Sequence, residues 1–329
     1  MSDILCFGEI LLRQQAVAES IFEKGNNLLR VYPGGSEANV AVSLAQMGEG
    51  VQYFSAFPEN QLADEILALL RKHKVGTSRA LRVGDRIGSY FLLSANGLTK
   101  GEVIYDRKYS AFSLLDAKDL DFDRLFEDIT WLHWTALTPA LHQGWADLMG
   151  LVLAEAAQRG ITISVDLNYR SRLWQYGKEP IEIMPQLVAH CEVVMGNIWA
   201  ANKMLGTPID PSLNRNTPVE AYSAYSKKSA QELFRKFPKV KHVANTFRFM
   251  DNPQHNYFYG VYHSPTEDAV SKIYETHEVV DRIGSGDAFM AGLIFALRQA
   301  KDPQYIIDTA TGAGYHKLFV EGDFGDGKY

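Results

Sequence analysis

The segment Gly284-Ser285-Gly286-Asp287 sets two glycines and a carboxylate at one point, and an apolar helical pattern follows at Phe289, Leu293 and Ala296/Leu297. A glycine turn running into a helix lets backbone N–H groups converge, and the helix dipole adds positive potential there. Such a point binds anions, phosphate above all. An acid placed in an anion hole is electrostatically unfavourable unless it serves a reaction. The reaction that suits Asp287 is removal of a proton from a hydroxyl that attacks a phosphoryl group. Taken alone, the stretch is equally well explained as a helix that merely begins after a glycine-rich turn.

A second constellation lies near the other end of the chain, in Pro33-Gly34-Gly35-Ser36-Glu37-Ala38-Asn39. Ser36 is expected to cap a helix that Glu37 begins, with Val40, Ala41 and Leu44 on one face. Gly34 and Gly35 allow close backbone approach to a ligand. Asn39, one turn in, offers donor and acceptor to a polyol hydroxyl. The competing reading is an ordinary capped helix with a solvent-facing Asn.

Elements that could position these residues alternate along the chain. Strands are expected over Ile4–Phe7, Val51–Phe57, Ile129–Trp134, Ile161–Asp166, Val193–Met195 and His242–Thr246. Helices are expected over Glu37–Gln46, Ala63–Lys72, His142–Gln158, Ala230–Phe237, Asp287–Gln299 and Gln304–Phe319. Such alternation argues an α/β fold with a mostly parallel sheet. Two segments, about 10–33 and 87–112, hold strand-like pieces without a helix pattern, and are expected to form a small antiparallel lid over the ligand edge. The Pro-, Asn- and Asp-rich stretch Thr207–Ser226 reads as an exposed loop. The 329 residues are read as a single domain with this lid attached.

Bulk properties narrow the class. A net charge of −6 argues against sequence-independent nucleic-acid binding. Only Cys6 and Cys191 are present, which gives no disulfide framework and points to a reducing compartment. No basic region with an apolar core opens the chain, and the apolar run Leu148–Ala157 is broken by Glu155, so a cytoplasmic protein is expected. The nine histidines show no His-Glu-x-x-His or Cys/His ligand spacing, so no structural zinc is expected. His133 is expected to be a hydrogen-bonded core residue, and Trp131, Trp134 and Trp145 to pack the core.

The early Gly-Gly-x-x-x-Asn helix and the late Asp-x-x-Gly-x-Gly-Asp-x-Phe-x-x-Gly helix together resemble the two signatures of the ribokinase-like (PfkB) carbohydrate kinases. The resemblance covers nearly the whole chain and implies a ribokinase-like three-layer α/β fold with a small β-sheet lid. It implies ATP as phosphoryl donor with a divalent cation, usually Mg²⁺. Asp287 would be the base, and Gly284, Ser285, Gly286 and the Asp287 N–H would hold the transferring phosphoryl group. Asn197, Thr246 and Arg248 would lie toward the nucleotide.

Further residues are similar to the 2-keto-3-deoxygluconate kinase branch: Tyr105-Asp106-Arg107 with Ser110-Ala111-Phe112-Ser113, Asp166-Leu167-Asn168-Tyr169-Arg170, Leu173-Trp174, and Tyr90 on a neighbouring lid strand. The resemblance implies phosphorylation of the terminal hydroxyl of that keto acid. Arg107 and Arg170 would take the carboxylate, with Gly34, Gly35, Asn39, Tyr90 and Tyr105 along the chain of the substrate. A kinase for a neutral sugar such as fructose or ribose, or a non-catalytic sugar- or nucleotide-binding homologue, are the alternatives. The resemblance also implies a possible homodimer through the lid. One departure stands out: the family often carries Asn-x-x-Glu near the metal, and here Asn197 is followed by Ala200. The metal arrangement is therefore unknown from sequence.

Overall fold

In a computed structural model of the chain, which describes residues 3–17, 22, 28–93 and 103–329, the apolar runs assemble into one nine-stranded sheet. Its order is Asp268–Val270, Asn256–His263, His242–Phe249, Val193–Gly196, Thr162–Asp166, Ile129–Thr135, Asp3–Phe7 and Val51–Phe54, with Tyr274–Thr276 also paired to Asn256–His263. Pairing is parallel from Val51–Phe54 across to His242–Phe249 and antiparallel beyond it. The central strands are apolar on both faces because helices cover both. One apolar cluster joins Trp134 and Val165 to Trp145, Met149 and Val152 of helix Gln143–Gln158. Another joins Ile4 and Tyr53 to Val40, Leu44, Phe289, Leu293 and Ile307, the last five drawn from helices Ser36–Gln46, Ser285–Arg298 and Pro303–His316. The result is the expected three-layer α/β architecture. Trp131 joins the second cluster, and His133 is buried with Nδ1 3.1 Å from Ser164 Oγ. No helix of the described residues is long and apolar enough to cross a membrane.

Several elements depart from the sequence expectations. The run 51–57 divides at Ser55: Val51–Phe54 stays in the main sheet, while Ala56–Phe57 pairs with Leu81–Arg82. Helix Val219–Lys236 begins well before Ala230, so the exposed loop ends at Pro218. Its buried face carries Tyr222, Ser226, Ala230 and Leu233, and Ser226 is hidden because its hydroxyl bonds Asn245 and His263. A polar residue with partners inside looks solvent-facing in sequence. Helices Pro180–Val188 and Ile198–Leu205 and strand Asn256–His263 also lie outside the expected set.

The lid is a separate four-stranded sheet in the order Leu29–Gly34, Leu11–Ala16, Gly88–Leu92, Val103–Asp106. It is mixed rather than antiparallel. Its outer pairs are antiparallel, but the central strands Leu11–Ala16 and Gly88–Leu92 run parallel. Parallel neighbours need a long crossover, and the chain between them includes helices Ser36–Gln46 and Gln61–Lys72. The portions 18–21, 23–27 and 94–102 of the expected lid segments lie outside the described residues. Register places Tyr32, Arg13, Tyr90 and Tyr105 in one cross-strand row, and Val31, Gln14, Phe91 and Ile104 in the next. Successive residues point to opposite faces, so the first row belongs to one side of the lid and the second to the other.

Candidate active site

The lid and the sheet edge enclose a cleft of about 560 Å³. At its floor the two sequence constellations meet. Asp287 Oδ1 accepts from Ser36 Oγ at 2.5 Å, and Asp287 Oδ2 accepts from Asn39 Nδ2 at 2.7 Å. Ser36 Oγ in turn accepts from Asn168 Nδ2 at 3.1 Å. Ser36 is therefore not the helix cap. The helix starts on Gly35 with no side-chain cap bond, because the serine hydroxyl is spent on Asp287. Asn39, expected to meet a polyol, lines the cleft, holds the carboxylate and accepts from the Gly35 N–H at 3.4 Å.

Burial pushes the Asp287 carboxyl up, while the Ser36 and Asn39 bonds and the charges of Arg170 and Lys317 hold it down. Its neighbour Asp166 is pushed up to about 7 by burial and by Asp287, against an N–H from Asn168 at 2.9 Å and the charge of Arg170. Glu37, just behind, is also pushed up to about 7 by burial, although Thr135 donates to it from N–H and hydroxyl at 3.1 and 2.6 Å.

The helix start above this floor has two unlike glycines. Gly284 has φ of 82° in the left-handed region, and a Cβ there would collide with the Asp323 carbonyl. A Cβ on Gly286 would meet nothing within 4 Å, so its space opens to the cleft. The N–H groups of Gly286 and Asp287 belong to the first turn, where helical acceptors are missing. Ser285 is also engaged within the protein: its N–H turns to Arg282 O at 3.3 Å, and its hydroxyl accepts from Arg248 Nη2 at 2.5 Å.

On the lid side, Tyr90, Tyr105 and Arg107 line the cleft. Arg107 is buried and paired: its Nε donates to Glu9 Oε2 at 2.7 Å, and Glu9 Oε1 accepts from Ser110 Oγ at 2.5 Å. Arg13, from the same row as the tyrosines, bonds Asp281 at 2.9 Å and Asp323 at 2.8 Å, tying the lid to the loop before Gly284. Gly35 lines the cleft, but its missing Cβ makes room for the Glu9 carbonyl. Gly34 does not line it; its close approach is to the Asp323 carboxylate. Both glycines thus also make room for protein atoms beside the cleft.

The far side holds Asn197, Trp199, Ala200, Thr246, Arg248 and Arg282, with Arg170 at the opening. Asn197 Oδ1 caps helix Ile198–Leu205 through the Ala200 N–H at 2.8 Å. Magnesium asks for oxygen ligands, usually carboxylate. Here Ala200 supplies none, Asn197 is engaged as a cap, and the charged groups are guanidinium. The residues of this side do not fit a protein-held Mg²⁺. Away from the cleft, His255, Glu275 and His277 bring ligand atoms within 4.8 Å of one another, an approach that sequence spacing did not reveal.

Sequence reasoning missed Ser36 as the partner of Asp287, and Asp166, Asn168, Trp199, Arg282 and Asp323 as cleft residues. The first three were within reach, since Asp166 and Asn168 precede Arg170 in one motif and Ser36 opens the helix of Asn39. Asp323 lies in a tail segment, 316–324, that is similar to the same kinase branch, but its place in the cleft depends on how the chain's end folds back.

The family profile described as pfkB family carbohydrate kinase matches residues 1–322. A 2-dehydro-3-deoxygalactonokinase of Haloferax volcanii is 26% identical over 98% of this chain and 92% of its own. A 2-dehydro-3-deoxygluconokinase of Bacillus subtilis is 26% identical over 88% of this chain and 81% of its own. The crystal structure of 2-dehydro-3-deoxygluconokinase from Thermotoga maritima superposes with a TM-score of 0.87 at 33% identity, covering 98% of this chain and 94% of that one.

Proposed function

Because the chain belongs to the pfkB family of carbohydrate kinases, phosphotransferases with an alcohol group as acceptor, we propose that it uses ATP to phosphorylate the terminal hydroxyl of 2-keto-3-deoxygluconate. The observation that carries this reading is the single cleft joining Asp287 to Tyr90, Tyr105 and Arg107. Asp287 takes the proton of the far hydroxyl, with Ser36 and Asn39 fixing both of its oxygens. The first-turn N–H groups at Gly286 and Asp287, with Gly284 shaping the turn, stabilise the phosphoryl group in flight. Arg107, pinned by Glu9, presents its remaining guanidinium N–H groups to the substrate carboxylate, and Arg170 adds positive charge near Asp287. Tyr90 and Tyr105 donate from the lid. Thr246, Arg248 and Asn197 line the ATP side, and Mg²⁺ is expected to arrive on the nucleotide's own phosphates.

The relatives named for the gluco and galacto acids make the acceptor's stereochemistry the open variable. A phosphorylation screen over C5–C6 sugars and sugar acids with ATP and Mg²⁺ tests the reading. Turnover on one or both 2-keto-3-deoxy acids well above that on fructose or ribose is expected; preference for a neutral sugar would reject it. The outer face of the lid exposes Leu29, Val31 and Ile104, which supports a homodimer through the lid. Sedimentation as a monomer would exclude that assembly. One domain, including the lid, is proposed to carry the whole activity.

A further inference from the structure

Arg248 and Arg282 stand beside the start of helix Ser285–Arg298 with no acid among the described residues to answer them. Arg248 Nη2 donates to Ser285 Oγ at 2.5 Å, and its Nε is buried without a partner. Arg282, only 8% exposed, spends Nη1 on Asn256 Oδ1 at 2.9 Å and Nη2 on the carbonyls of Pro253 and His255 at 2.8 and 2.7 Å. Its Nε is likewise buried without a partner. Every one of these acceptors is neutral. The charges that bear on Arg248 are Arg282 and Arg170, so burial and like-charge repulsion push its pKa down to about 10.

A guanidinium withdrawn from water without a counter-charge destabilises a fold. Other buried arginines here are answered: Arg13 by Asp281 and Asp323, Arg107 by Glu9. Arg248 and Arg282 differ by lining the cleft next to the open N–H face of Gly286. A planar fork of donors beside first-turn N–H groups matches a phosphate chain. On the same side stands Ala200, where a metal-organising acid is absent.

We infer that Arg248 and Arg282 form a guanidinium clamp for the polyphosphate of the donor nucleotide, supplying from the protein the positive charge that an acid-anchored metal would otherwise bring. This rests on the reading of the cleft as a nucleotide-dependent kinase site. Polyphosphate binding then survives removal of divalent cations, and the clamp is held at a cost to the unliganded fold.

Calorimetric titration of the full chain with inorganic tripolyphosphate and with ATP, both in excess EDTA, tests the clamp. The wild-type protein is expected to bind both. Arg248→Gln is expected to weaken both by about 10- to 100-fold, the loss of a charge-assisted hydrogen bond. Arg248→Lys is expected to fall between. The melting temperature of unliganded Arg248→Gln stays level or rises, because an unanswered, half-buried charge is gone. Binding that requires a divalent cation, wild-type affinity in Arg248→Gln, or weaker binding accompanied by a lowered melting temperature would each overturn the clamp. The proposed substrate fails separately. A chain that binds tripolyphosphate through Arg248 but phosphorylates no sugar acid retires the substrate and keeps the clamp.

Discussion

The residue that decides the chemistry, Asp287, is held by two side chains from the opposite end of the sequence. Replacing it by Asn keeps the shape of the site and removes the base. Asp287→Asn is expected to lower turnover by about 10²- to 10⁴-fold with ligand binding largely kept. Full activity in steady-state assays would show that another group takes the proton. The pH profile offers a finer test. Asp287 accepts a proton only when ionised, and burial raises its pKa above the ordinary carboxylate value. The acid limb of kcat/KM should therefore lie above the ordinary carboxylate range. Asn39→Ala removes a hydrogen bond to the ionised form, so the limb should move to higher pH. Asp166→Asn removes a carboxyl that burial and Asp287 keep protonated up to about pH 7, so the limb should stay close to its wild-type position. Equal shifts in both variants would contradict the assignment. At this scale the sequence was most legible: Asp287, Tyr90, Tyr105 and Arg107 all reach the cleft. Asn39 was legible as a polar group at the site, but its bond to Asp287 was not, because its partner is 248 residues away.

Elements set these side chains through their ends more than their middles. The helix Ser285–Arg298 starts on a left-handed glycine packed under the C-terminal segment, and its next glycine faces open space. Gly284→Ala should destabilise the fold, since it combines positive φ with a backbone collision. Gly286→Ala should leave denaturant stability nearly unchanged while lowering turnover and nucleotide affinity, because the added methyl enters only the cleft. Equal losses of stability in the two variants would mean that both glycines serve packing alone. The parallel centre of the lid was illegible in sequence, because strand direction depends on where distant segments leave the main body. The element that sequence reading shortened most, helix Val219–Lys236, shows the same limit: Ser226 in its polar first half is buried through partners on strands His242–Phe249 and Asn256–His263.

At the scale of the molecule, two apolar clusters pack on one sheet, and the buried acids Glu37, Asp166 and Asp287 lie near enough to one another to interact. Glu37 is pushed up to about 7 by burial, from an ordinary value near 4.5. The native state therefore keeps a proton that the unfolded chain has already lost between those values. Its contribution is fully present below about pH 4.5 and is lost as pH rises through 7. Relative to Glu37→Gln, wild-type stability should fall by on the order of 2–3 kcal/mol between pH 4.5 and 8, measured by denaturant unfolding. A difference independent of pH would rule out a buried, proton-holding Glu37. The sequence by itself determined the layered α/β class, the glycine–acid turn and the likeness to sugar kinases, because periodicity, glycine content and motif spacing are local properties. Only the tertiary structure decided that Ser36 and Asn39 grip the base, that Gly34 and Gly35 sit against Asp323 and the Glu9 carbonyl, and that Arg248 and Arg282 stand without an acid among the described residues. Each of these depends on which atoms meet across the fold, and a burial penalty or a hydrogen bond exists only once distant segments have been brought together.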